Sequence, residues 1–213
     1  YEIDGYIHLA KLYMHKLTFS DLQERYLKTE SVLDNYPYKS TTESIEYFSI
    51  LADVKFKLKK FEETEEILLK LLNKDYTSFF EAVNTDNIYY NMAIIKLHSK
   101  NFDLALSYLE KIENPMQFND YNLVKGQIYF LKQNSFLALK YLKTHYENGN
   151  AFNEYTNYLL SLIYYELNAY EAAENYLDKL LIIVESVRTE FASDIYVLAG
   201  DINYKKGNHQ DAI

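Results

Sequence analysis

The chain has 213 residues, with 22 Lys and Arg against 31 Asp and Glu, a formal net charge of −9 and a pI near 5.1. That balance argues against a nucleic-acid surface, which needs clustered cations; the longest basic cluster, Lys57–Lys60, is broken by Leu58 and followed by Glu62, Glu63, Glu65 and Glu66. The absence of cysteine rules out disulfides and thiol chemistry, five glycines and two prolines leave little room for strands and tight hairpins, and the longest apolar stretch, Leu180–Val184, is far short of a membrane span.

Taken in order, the chain repeats itself. A small residue recurs at Ala10, Ala52, Ala93, Gly126, Ser161 and Gly200, and two residues after each comes an apolar one: Leu12, Val54, Ile95, Ile128, Ile163 and Ile202. Nine residues after each small one come Phe19, Phe61, Phe102, Ser135, Tyr170 and His209. In this register, units start near 3, 45, 86, 119, 154 and 193, a period of about 34 residues with insertions, and such a period denotes a repeat architecture.

Each unit reads as two helices. The first carries apolar side chains at helical spacing, as in Tyr89, Met92, Ala93 and Ile95. A short turn follows, near residues 17, 59, 100, 133, 168 and 206, so at least eleven helices are expected. The second helix runs aromatic, small, Leu in three- and four-residue steps, as in Phe102, Ala105, Leu109 and Ile112. In the second unit it opens on an acidic run, which complements the helix dipole, and Glu66–Lys70 is an i,i+4 pair. Close packing explains the small residues: antiparallel helices approach where side chains are short, so Ala93 is expected against Ala105 and Gly126 against Ala138. One hairpin cannot bury its own apolar face, and stacking the next one on it does. Tyr6, Tyr13, Tyr89, Tyr129, Tyr164, Tyr176 and Tyr196 are expected in core slots. Pro37 and Pro115 fall between units, and no linker interrupts the chain, so residues 1–213 read as one array of about five and a half repeats. A start at Tyr1 and a stop at Ile213, one turn into the second helix of unit six, suggest a piece of a longer protein.

This pattern resembles the tetratricopeptide repeat, most closely over residues 89–115, 158–181 and 196–213. The departures are Tyr121 and Asn122 at the entry of unit four, Lys125 at a Leu position, and Leu22 and Thr64 where Ala is usual. The resemblance implies an all-α fold, a right-handed α-solenoid of stacked antiparallel helix hairpins whose first helices line the inner face. Slots two, five, six, nine, twelve and thirteen of each first helix then point inward. The middle of that face reads as an amide–aromatic cluster, Tyr90, Asn91, Ile94, Gln127, Phe130, Tyr158, Leu162 and Tyr165. A carboxamide both donates to and accepts from a peptide backbone, and tyrosine gives amphipathic contact at low entropy cost. The carboxylate clamp that some members use on chaperone tails needs Lys or Arg with Asn; here Ser49, Asp53, Asn91, Asp120 and Val124 hold the corresponding slots, and only Asn91 fits.

No Gly-rich phosphate loop, H-E-x-x-H, Ca²⁺ loop or nucleophile elbow occurs. His8 and His15 share a helix face with Lys11 between them and no carboxylate at ligand spacing, so no metal is expected; His145 and His209 occupy packing slots. The expected function is a non-catalytic scaffold binding a protein or an extended, largely apolar peptide, with no cofactor, no nucleic-acid contact, no membrane insertion, possible self-association and a cytoplasmic location. The alternatives are the peptide-sensing domain of a bacterial transcriptional regulator, since the degenerate repeats and groove asparagines also resemble the PlcR- and Rap-like pheromone receptors, or an accessory repeat domain of an enzyme.

Overall fold

The computed structural model describes residues 2–15, 21–36, 44–72, 84–186 and 192–208. Among the described residues there are eleven α-helices and no strand. In the N-terminal part these are α1 (Glu2–His15), α2 (Leu22–Asp34), α3 (Ser44–Lys57), α4 (Phe61–Leu71), α5 (Thr85–His98) and α6 (Phe102–Glu110). After a 3-10 turn at Pro115–Gln117 come α7 (Tyr121–Leu131), α8 (Ser135–Glu147), α9 (Glu154–Glu166), α10 (Tyr170–Ser186) and α11 (Ala192–Lys206). They form two compact units, residues 1–113 and 114–213. Within each unit antiparallel hairpins stack: α1/α2, α3/α4 and α5/α6 in the first, α7/α8 and α9/α10 with α11 in the second. The first helix of a hairpin packs on its own second helix and on the second helix of the hairpin before, as α3 does on α4 and α2, and α9 on α10 and α8. This is the stacked-hairpin architecture of an α-solenoid.

The turns repeat as closely as the helices. Lys59, Lys100, Gln133, Asn168 and Gly207 all have positive φ, between 58° and 84°. Each lies seven residues after its small residue. In each turn the amide of the left-handed residue donates to the carbonyl three back, and the next amide to the carbonyl five back, as in Lys59→Phe56 with Lys60→Lys55 and Gly207→Tyr204 with Asn208→Asn203. That double bond is a Schellman cap, which satisfies the orphan carbonyls of the first helix and reverses the chain. The turns near 59, 100, 133, 168 and 206 thus fall where the periodicity puts them; those near 17, with Phe19, and the residues from His209 on lie outside the described residues. Asn101 and Asn134 then cap the following helices, accepting from the amides of Leu104 and Leu137.

Five of the six small residues are buried, and Gly200 is half-buried. Gly126, however, does not meet Ala138. A Cβ built on it would lie 2.6 Å from Leu142 Cγ and 3.2 Å from the Leu142 backbone nitrogen. The close approach in α7/α8 is therefore one turn further along α8, where a backbone and a branched side chain both press on the glycine. Val54, Ile95, Ile128, Ile163 and Ile202 are core residues, but Leu12 is 53 % exposed. Among the described helices α1 packs chiefly on α2 and α3, so the slot that a preceding hairpin covers elsewhere is open here. Tyr196, expected in the core, is likewise 53 % exposed. Its counterpart Tyr89 stacks on Tyr108 of its own second helix; the stretch expected to supply that helix to α11 starts at His209.

Polar ties join successive hairpins. In the first unit Glu30 on α2 is buried and takes Lys55 at 2.8 Å and Lys60 at 2.7 Å, while Lys55 also reaches Glu63 at 2.6 Å. Burial raises the Glu30 carboxyl, but the two lysines outweigh it and hold it below the usual range. Lys96 on α5 pairs with Glu65 on α4. In the second unit Tyr146 of α8 meets Tyr176 of α10 edge-on at 5.4 Å across successive hairpins, and tyrosine stacks also tie the two helices within each hairpin. Tyr129 stacks on Tyr141 and Tyr164 on Tyr176, with centroids 5.5 and 5.7 Å apart, and Lys125, Lys143 and Lys179 lie over these rings or their neighbours.

Candidate functional site

The eight candidate residues fall on three first helices, and all are half-buried. In the first unit, α5 carries Tyr90, Asn91 and Ile94. Their helix starts from an Asn84 cap whose side chain accepts from the Asn87 amide, and its other face, Ile88, Met92, Ala93 and Ile95, is core. Asn91 opens onto a cleft of about 460 Å³, lined among the described residues by Ser49 and Asp53 of α3, Leu68 and Leu71 of α4, and Asn84 and Asn87 ahead of it. Amides, a hydroxyl and the Asp53 carboxylate above an apolar floor can hydrogen-bond a peptide chain while burying its side chains. Lys11 and Glu46, in inward slots of α1 and α3, neutralise each other.

In the second unit, Gln127 and Phe130 lie on α7 and Tyr158, Leu162 and Tyr165 on α9. These last three do more than face outward. They pack against the cluster of Leu177, Leu180, Ile195, Leu198 and Ile202 from α10 and α11, and Tyr165 meets Tyr170 at 5.9 Å. Burial, then the charge of Asp194, pushes the Tyr158 phenol up; burial, then Tyr158, does the same for Tyr155. Both stay neutral near pH 7 and act as hydrogen-bonding groups on apolar rings. Other inward slots prove to be packing slots: Ile7, Ile50, Leu97, Val124, Leu159 and Leu198 are core. Apolar occupants do not all withdraw, however: Leu131 and Val197 are 45 % and 64 % exposed, and Ile94 and Leu162 are half-buried.

The sequence reading missed a polar cluster at the α8–α9 junction. His145 is fully buried, as expected for a packing slot, but its Nδ1 is 2.7 Å from the Thr156 hydroxyl. Asn157, also buried, donates to the carbonyls of Ala151 and Asn153. Asn153, the α9 cap, accepts from the Thr156 amide. The Asn-x-x-Thr spacing before a periodic segment was the available signal. Beside this cluster lies a second cleft of about 420 Å³, lined by Pro115, Met116, Phe118, Asn119, Tyr121, Asn122, Asn148 and Asn150. Among the described residues no group of three His, Asp or Glu is placed to hold a metal ion, and no helix is long and apolar enough to cross a membrane.

Comparison with protein-family models and with curated proteins finds no match. Solved structures do match. PilF of Pseudomonas aeruginosa is similar with a TM-score of 0.65 at 14% identity, covering 98% of this chain and 86% of that one. BtubC from P. vanneervenii gives 0.60 at 15% identity, covering 100% and 87%. A signal-transduction ATPase with a tetratricopeptide repeat sensor, from Pyrococcus horikoshii, gives 0.56 at 19% identity, covering 95% of this chain and 39% of that one. Together with the hairpin stacks and their repeated turns, these likenesses make the fold one of tetratricopeptide-repeat type.

Proposed function

We propose that this chain is a non-catalytic scaffold that holds an extended, largely apolar peptide segment of a protein partner on the free face of its first helices. One observation carries the reading: the carboxamides Asn91 and Gln127 are half-buried at repeat slots, each on a helix that also presents a half-buried aromatic, Tyr90 and Phe130. Asn91 holds the peptide backbone, Tyr90 and Ile94 flank it, and Phe130, Tyr158, Leu162 and Tyr165 receive side chains in the second unit, with Gln127 as its amide. The cysteine-free composition suits a reducing cytoplasm.

The test is calorimetry with peptides selected on the intact chain from a random display library. Asn91→Ala weakens binding by about 1–3 kcal/mol, because a desolvated peptide group loses its partner, while the thermal midpoint hardly moves. Affinity is nearly independent of salt, whereas a charge-steered ligand weakens with ionic strength. Equal affinity for both variants, or binding that salt abolishes, refutes the reading.

A further inference from the structure

His145 is fully buried on α8, yet both ring nitrogens face polar groups. The hydrogen-bond pattern favours one tautomer. The Asn153 side-chain oxygen only accepts, and it takes the Thr156 hydroxyl at 2.9 Å as well as the Thr156 amide. The Thr156 oxygen is thus the acceptor toward His145 Nδ1, and the neutral ring carries its proton there. Nε2 is left as a bare lone pair 3.3 Å from Asp120 Oδ1, with no hydrogen bond. A lone pair facing a carboxylate repels it. A proton on Nε2 turns the same approach into a charge-assisted pair.

We propose that Asp120 and His145 form a proton-operated latch: with Nε2 protonated, the segment leading into α7 is tied to the α8–α9 junction, and with Nε2 bare it is released. The parts suit this. Asp120 makes no capping bond at the start of α7 and its side chain is 57 % exposed, so it can turn into water when the ring is neutral. Its chain neighbours Asn119 and Tyr121 form one wall of the 420 Å³ cleft, and Asn148 and Asn150 form another. Asn150 is bonded to the His145 carbonyl at 3.1 Å. The latch therefore acts on both walls of one cleft. Asp120 is the charge that acts on the ring; α9 presents the non-titrating Thr156, and the nearest other carboxylates in sequence are Glu147, two residues on in α8, and Glu154, two before Thr156.

The test is nitrogen-detected NMR of the histidine rings in the full chain, from neutral to acid pH, for wild type and Asp120→Asn. The expected result is an Nδ1–H tautomer at neutral pH, a His145 midpoint that moves down in Asp120→Asn, and acid-dependent shifts of the Asn119, Tyr121 and Asn148 amides that the substitution abolishes. Asp120 is exposed and caps nothing, so the variant folds, as its amide spectrum shows directly. An Nε2–H tautomer at neutral pH, or the same midpoint in both proteins, overturns the latch.

Discussion

Replacing Gly126 by alanine tests the close approach on which the hairpin packing rests. In a solvated helix the change stabilises, since alanine exceeds glycine in helix propensity by about 1 kcal/mol. Here the added Cβ lies 2.6 Å from Leu142 Cγ and 2.8 Å from its Cδ2, whereas carbons sit comfortably at about 3.5–4.0 Å. Leu142 cannot give way. It is fully buried among Ala138, Leu159, Leu160 and Ile163, and its backbone nitrogen is itself 3.2 Å from the new atom. Overpacking of this kind costs about 1–3 kcal/mol, so the net effect is a loss of up to about 2 kcal/mol after the propensity gain. Gly5 is the control. It is exposed on α1 with nothing within 4 Å of a Cβ, so Gly5→Ala gains about 0.5–1 kcal/mol. Urea unfolding of both variants, with slopes compared as well as midpoints, reads the opposite signs. A Gly126→Ala protein stabilised as much as the Gly5→Ala protein refutes the packing argument.

The left-handed turns predict a stabilising change: Gln133→Gly raises stability by about 0.5–1 kcal/mol, because relief of the side-chain penalty exceeds the added unfolded-chain entropy, and thermal melts check it. Glu30→Gln destabilises by about 1–3 kcal/mol, less than a full buried-pair loss because Lys60 is 38 % exposed and Lys55 retains Glu63; urea midpoints read this. Acid acts in two windows. His145 is held below 6.5, by burial first and against the pull of Asp120, so its contribution is complete above 6.5 and is lost as pH falls through its folded value. Glu30, held below 4.5, contributes fully above that value and is lost as pH falls further, so a melting profile of Glu30→Gln flattens in the lower window alone.

Much of the fold was legible because its determinants are local and repeated. Ala93 and Val54 mark close contact and core, and the same spacing puts Lys59, Lys100, Gln133 and Asn168 at one turn position. What escaped depends on a neighbouring hairpin. Leu12 and Tyr196 occupy core slots by sequence, but burial there requires a second surface that the described helices do not supply. The Gly126 contact shifts to Leu142 because helix stagger is set by packing across the pair. Glu30 looks like a surface acid until Lys55 of α3 and Lys60 of the turn after it arrive. Of the candidate site, Asn91 and Tyr90 keep surface, whereas Tyr158, Leu162 and Tyr165 share theirs with α10 and α11, a division that periodicity alone does not reveal.

The measurement that tests the scaffold reading most directly is side-chain amide mapping by NMR, with a display-selected peptide added to the full chain. The account predicts shifts of the Asn91 and Gln127 carboxamides, together with the rings of Tyr90 and Tyr158. Shifts confined to the second helices, around Glu62 to Glu66 or Lys140 and Tyr141, would contradict it.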